Sequence, residues 1–167
     1  MSPTSQPRQI QQAPPFKSAP ARQSLKGLRL RKHADYQRAY AAARKRQSAS
    51  MSWFLAVRPA EGEEALAGQM VLSRVGTLAR VGLTAGKVLG KAHERNRIKR
   101  RMREALRRHV SLIPAGYDLI LHPRRTVLTM EFAKLEAEVV RILEQASAEA
   151  ARAKAQIESA LLASRQS

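Results

Sequence analysis

The sequence predicts a single small domain in which helices and strands are interspersed, with a tail at each end. Three observations carry that reading. Short apolar runs suited to strands occur at 52–59, 80–84 and 117–123, apolar residues recur at helical spacing in three other stretches, and the first 24 residues show neither pattern. With 167 residues the chain can enclose one core, and because 44% of it is hydrophobic but only 4% aromatic, that core is expected to be aliphatic.

Residues 1–24 hold five of the eight prolines and no apolar run, so they are expected to be a disordered tail. Their Arg and Ser content, with no acid before Asp35, is shared with organelle transit peptides, but the prolines spoil the amphipathic helix such a peptide needs. No apolar core of a secretory signal is present, and no stretch approaches the roughly 20 apolar residues of a membrane span. The chain has no cysteine, which excludes disulfides, thiol catalysis and thiolate metal sites and is compatible with a reducing compartment.

The elements follow in order. Residues 25–46 read as a basic lead-in and a short helix, with Tyr36 and Tyr40 four apart on one face; core packing and an exposed binding role both remain open for these rings. "SWFLAVRP" at 52–59 is a strand ended by Pro59, and 61–68 is an acidic loop. Residues 69–86 hold one or two strands, of which 80–84 is the clearest. There Val81 and Leu83 share one face and Arg80, Gly82 and Thr84 the other, a floor with a cation, no bulk and a hydroxyl. Gly90 is the expected N-cap of a basic helix, which Pro114 and Gly116 terminate. "YDLILHP" at 117–123 is a strand. A second amphipathic helix is expected from Thr129 as its cap, through Phe132, Leu135, Val139, Ile142 and Leu143, and residues 145–167 form an Ala-rich, helix-prone extension.

Charge separates the functional classes. With 31 Lys plus Arg against 13 Asp plus Glu, the net charge is +18, a degree of self-repulsion that points to a polyanionic partner. Much of it lies in "HERNRIKRRMREALRRH" at 93–109. Advancing 100° per residue places Met102, Ala105, Leu106 and His109 beside Ile98 as a core stripe, and the cations fill the remaining arc. A purely solvated face would mix signs at i,i+4, whereas Arg97 faces Arg101 and Arg103 faces Arg107. The preference for Arg fits phosphate, whose oxygens a guanidinium fork can bind in pairs. An enzyme acting alone is disfavoured, because His33, His93, His109 and His122 fall at no metal-ligand spacing and no acid pairs suited to two Mg²⁺ ions are visible. Lone histidines are structural by default, although His93 and His122 could donate to RNA.

The run "RVGLTAGKVLGKAHERNRIKRRMREALR" at 80–107 resembles the signature of the bacterial ribonuclease P protein component, with an Arg-Asn-Arg core at Arg95, Asn96 and Arg97 followed by Ile98, Lys99 and Arg100. "RLRKHADYQRAY" at 29–40 is similar to that family's first helix and "GYDLILHPR" at 116–124 to its last strand, so the resemblance covers 25–144. It implies an α+β fold, a small mixed β-sheet packed with about three helices, in which the basic helix makes a left-handed crossover against the usual right-handed rule. It also implies a cytoplasmic ribonucleoprotein that removes the 5′ leader of precursor tRNA, with the catalytic centre in an RNA subunit that uses Mg²⁺ and no metal held by the protein alone. By the same resemblance Lys87, Lys91, Arg95, Asn96, Arg97, Lys99, Arg100 and Arg103 would bind the RNA subunit, and Tyr36, Tyr40, Arg80 and Thr84 would line the leader cleft. Stacking of single-stranded bases on the two tyrosines, worth ~1–3 kcal/mol per base, suits that cleft. The alternative is a general basic RNA-binding protein of the ribosome or nucleoid, without a nuclease role.

Overall fold

A computed structural model describes residues 24–58 and 79–165; the acidic loop, the first strand expected within 69–78 and nearly all of the expected N-terminal tail lie outside these residues. The fold is α+β, with a four-stranded mixed sheet and three helices. Strands β1 (Arg46–Gln47), β2 (Met51–Val57), β3 (Arg80–Leu83) and β4 (Tyr117–Pro123) lie in the order β1-β2-β4-β3. Pairing is antiparallel between β1 and β2 and between β2 and β4, and parallel between β3 and β4. Parallel neighbours cannot be joined by a tight turn, and the long connection they require is the one that carries the basic helix.

Helix α1 spans His33–Ala42, α2 Ala92–Arg108 and α3 Phe132–Arg165. The first helix is the short one expected within 25–46; after it the chain turns extended at Ala43 and forms β1, whose two residues are too few to show a period. The start of α2 also differs from expectation by one residue. Gly90 takes φ 118°, a left-handed conformation suited to glycine, and ends a short 3-10 turn at Lys87–Leu89. Lys91 is the N-cap, and its backbone N–H donates to the Glu94 carboxylate at 2.7 Å. Thr129 does not cap α3 either. It closes the 3-10 turn at Arg125–Leu128, and the helix begins at Phe132.

Strand alternation assigns the two faces of the sheet. Trp53, Leu55, Val81, Leu119 and Leu121 face α2 and α3, where the predicted stripe of Ile98, Met102, Ala105 and Leu106 meets Leu135, Val139, Ile142 and Leu143 in one buried core. On the other face Ala56 and Ile120 pack with Leu30 and Ala39 of the α1 region, and this smaller cluster is bordered by Tyr36, Tyr40 and Phe54. Helix α3 crosses residue 144 without a break. Ala146 and Ala150 are buried, the Tyr117 hydroxyl donates to the Ala150 carbonyl at 3.2 Å, and the described side chains beyond Ala153 are exposed.

Apolar burial alone gives α1 a weak hold, since only Asp35 and Ala39 of its ten residues are buried. The stronger attachment is ionic. Arg80 on β3 donates through Nε and Nη2 to the two Asp118 oxygens at 2.7 and 2.8 Å, and through Nη1 to Asp35 at 3.0 Å. Arg38 adds a contact to Asp35 at 2.7 Å. Burial would raise the Asp35 pKa, but Arg38 and Arg80 outweigh it and hold the carboxyl below its ordinary value. Removing the cation leaves Asp118, 1% exposed at its side chain, with only the longer contact from Arg38 at 3.5 Å, and leaves Asp35 with Arg38 alone. Arg80→Ala is therefore expected to lower unfolding free energy by ~3–5 kcal/mol in denaturant titrations at neutral pH; a midpoint unchanged from the parent would show that the network does not hold α1.

Candidate RNA interface

Two surfaces meet the chemical requirements for RNA, one on α2 and one between α1 and the sheet. On α2, Asn96, Arg97 and Arg100 are exposed and Lys99 and Arg103 half-buried, and with His93 they surround a concavity of about 560 Å³. Arg95, on the same helix, is also half-buried. Among the described residues none of Arg95, Arg97, Lys99, Arg100 and Arg103 meets a carboxylate. Their neighbours on the helix do: Arg107 and Arg108 contact Glu104, Arg108 and His109 contact Glu136, and Arg108 also lies over the Phe132 ring at 4.9 Å. Arg101 donates instead to the Met130 carbonyl. The helical wheel placed all these arginines in one arc; tertiary contacts tie Arg101 and Arg108 to α3 and its approach, Arg107 meets only a carboxylate of its own helix, and Arg95, Arg97, Arg100 and Arg103 meet none among the described residues. Lys87 and Lys91 are exposed at the start of the helix, beside Val88, which is 91% exposed.

The second surface is a half-buried aromatic cleft. The Tyr36 and Tyr40 ring centroids are 6.3 Å apart on α1. Tyr40 meets Phe54 edge-on at 5.0 Å and His122 at 5.5 Å, and its hydroxyl lies 2.8 Å from His122 Nε2 and 3.4 Å from Thr84 Oγ1. Tyr36 lies over Gly82. A Cβ at position 82 would stand 2.7 Å from Tyr36 Cε1, so the bare glycine is what lets the ring approach the strand. The Tyr36 hydroxyl donates to the Leu30 carbonyl at 3.3 Å, and burial raises its pKa.

Tyr36, Tyr40 and Thr84 thus come together on the sheet face opposite the main core. Arg80 shares that face, but it does not present a free cation to the cleft, because its guanidinium is held by Asp118 and Asp35. Sequence reasoning missed Phe54 and left His122 as a default structural residue. The signal for Phe54 was present in strand alternation, which sets it opposite Trp53; its place beside His122 required the β2–β4 register, where Phe54 pairs with Ile120.

Against known proteins, the family model described as Ribonuclease P matches residues 25–147. The chain belongs to this family. A Symbiobacterium thermophilum protein named Ribonuclease P protein component is 42% identical over 73 residues, 44% of this chain and 64% of that protein. A Chloroflexus aggregans protein of the same name is 43% identical over 68 residues, 40% of this chain and 50% of its own length. These alignments therefore span less than two thirds of the curated relatives. Among solved structures, the ribonuclease P protein of Thermotoga maritima superposes with a TM-score of 0.53 at 22% identity, covering 70% of this chain and 96% of its own. That of Staphylococcus aureus does so with a TM-score of 0.53 at 25% identity, covering 71% and 94%. The Arg-Asn-Arg helix of this ribonuclease P family member and its tyrosine-bearing helix both lie within the matched region.

Burial, with a smaller contribution from Lys45, lowers the His122 pKa below its ordinary value near 6.5. A depressed histidine pKa means that the unfolded chain takes up the proton first as pH falls. His122 is therefore expected to give no pH slope well above pH 6.5, and to reduce stability as pH drops from there toward its folded value. Unfolding titrations between pH 7.5 and 5 should show this slope in the parent and its loss in His122→Gln, while an NMR midpoint for His122 at or above 6.5 would rule it out.

Proposed function

We propose that this chain is the protein subunit of ribonuclease P and assists a catalytic RNA in the endonucleolytic removal of the 5′ leader from precursor tRNA. The observation that carries the reading is the pairing of two surfaces on one small domain: a helix face with five cations that meet no carboxylate among the described residues, and an aromatic cleft on the opposite sheet face. Family membership and the name borne by the relatives support it.

In this reading Arg95, Asn96, Arg97, Lys99, Arg100 and Arg103, with Lys87 and Lys91 at the helix start, neutralise and position the RNA subunit. Arginine forks on a rigid helix can take phosphate oxygens in pairs at little ordering cost. Tyr36, Tyr40 and Thr84, joined by Phe54 and His122, hold the single-stranded leader by stacking and hydrogen bonding. Arg80 serves the cleft by fixing α1 rather than by meeting the leader. Mg²⁺ would act with the RNA subunit and activate the attacking water. Among the described residues no three histidine or acidic side chains gather to hold a metal. The protein's share of the chemistry is charge neutralisation and substrate positioning, and the setting proposed is cytoplasmic.

Reconstitution tests the assignment. Nuclease-free protein alone should leave precursor tRNA intact in Mg²⁺, and catalytic RNA plus protein should cut at the leader junction at low Mg²⁺; cleavage without RNA would refute it.

Two sets of variants separate the surfaces. Arg97→Ala and Arg100→Ala should each weaken binding to the RNA subunit and lower the slope of log K against log salt by ~0.7–0.9, since both lie off the buried stripe. Tyr40→Ala should lose ~1–3 kcal/mol of affinity for a precursor carrying several leader nucleotides and almost none for mature tRNA. A variant that melts normally and keeps full leader-dependent affinity would remove Tyr40 from the cleft, and a lowered melt with equal losses for both ligands would make it a packing residue.

A further inference from the structure

A second cavity lies beside the aromatic cleft, between the two surfaces described above, and shares Tyr36 with one and Arg103 with the other. The segment before α1 runs parallel to β3 along its outer edge: Leu30 N–H donates to the Val81 carbonyl at 2.9 Å and Val81 N–H to the Leu28 carbonyl at 2.6 Å. Between this segment, β3 and the C-terminal half of α2 is a space of about 320 Å³. Its floor includes Leu28, Leu83 and Leu106, and Tyr36 forms one wall. Arg29, Arg103 and Arg107 line it from two different elements.

Three arginines converge here with little to oppose them. Among the described residues neither Arg29 nor Arg103 meets a carboxylate, and Arg107 has only Glu104 at 4.0 Å. Burial and then the charges of Arg29 and Arg107 lower the Arg103 pKa, the expected result of crowding like charges without an anion between them. The volume is near the lower end of the roughly 300–1,000 Å³ typical of small-ligand sites. An apolar floor, an aromatic wall and a guanidinium rim together suit a nucleotide whose base is out of a helix, with its base and ribose inside and its phosphate at the rim. A paired, stacked nucleotide could not enter.

We propose that this cavity is a second nucleotide site, which takes one nucleotide of the single strand that has passed through the aromatic cleft, with Tyr36 as the wall common to both. The proposal rests on the reading of that cleft as the leader path. Sharing Tyr36 makes the two sites consecutive along one strand, and the position of Arg103 in both cation sets joins the leader path to the RNA-subunit face.

The test uses holoenzyme reconstituted from catalytic RNA and full-length chain, with precursors whose leaders lengthen one nucleotide at a time. In the parent, affinity should rise in two stages as the strand reaches first the cleft and then the cavity. Arg29→Ala with Arg107→Ala should retain the first stage, the affinity for mature tRNA and the affinity for the RNA subunit, and lose the second stage by roughly tenfold, about 1.4 kcal/mol. Arg29→Glu should deepen that loss. Both positions are exposed, and thermal melts confirm folding beforehand. A second stage of equal size in the variants overturns the site, as does an equal loss for mature tRNA and for the RNA subunit, which would assign these arginines to the catalytic RNA. A parent whose affinity ignores leader length removes the leader reading together with this one, whereas a normal first stage with an unchanged second removes this one alone.

Discussion

The interaction on which the arrangement depends is the seat of Arg80 between Asp118 and Asp35. A helix with two buried residues out of ten cannot fix its own distance from a sheet, and the width of the space beneath its tyrosines is set by that distance. The guanidinium solves a geometric problem that apolar contact would leave loose: its fork addresses both Asp118 oxygens while a third nitrogen reaches across to α1. Desolvating these charges is costly, so the network is better understood as setting position than as adding net stability.

The same economy governs the rest of the acids. In a chain with 13 Asp plus Glu against 31 Lys plus Arg, carboxylates are scarce, and the described ones are concentrated where two elements must be joined. Glu138 on α3 accepts the Ser50 amide at 2.8 Å and its hydroxyl at 2.7 Å, together with the Ser48 hydroxyl, and so fastens the turn before β2; Glu136 gathers Arg108 and His109. On α2 the cations that no carboxylate or backbone carbonyl of the described residues claims are Arg95, Arg97, Lys99, Arg100 and Arg103. The proposed interface is thus defined by subtraction, through the placement of the few negative charges.

Much of the fold was legible because its signals are local. The strand at 117–123 has its observed bounds, and the α2 stripe at Ile98, Met102, Ala105 and Leu106 is buried, since period and proline placement fix both. What escaped the sequence was non-local or displaced by one or two residues. The pairing of β1 depends on β2, and the Glu94 cap competes with a glycine that looks like a cap. Whether an arginine on α2 is free depends on carboxylates about 30 positions away on α3. The site was legible in its residue types and less so in their roles: Tyr36, Tyr40 and Thr84 gather as the family resemblance implied, while Arg80 is diverted by Asp118, 38 positions downstream, and Phe54 and His122 enter through strand register.

The start of α2 also governs how a partner can approach. Helix N-termini commonly receive phosphates directly on their free amides. Here the Glu94 carboxylate already accepts the Lys91 amide, that bond and Arg125 hold its pKa below the ordinary value against the opposing effect of desolvation, and Gly90 leaves room where a Cβ would come within 3.1 Å of the Glu94 carboxyl carbon. The end of the helix is occupied by the protein's own negative charge. On the proposed reading an RNA strand lies along the length of α2 instead of capping it, so the rotational setting of the helix on the sheet, rather than the direction of its axis, is the variable that would align the two molecules.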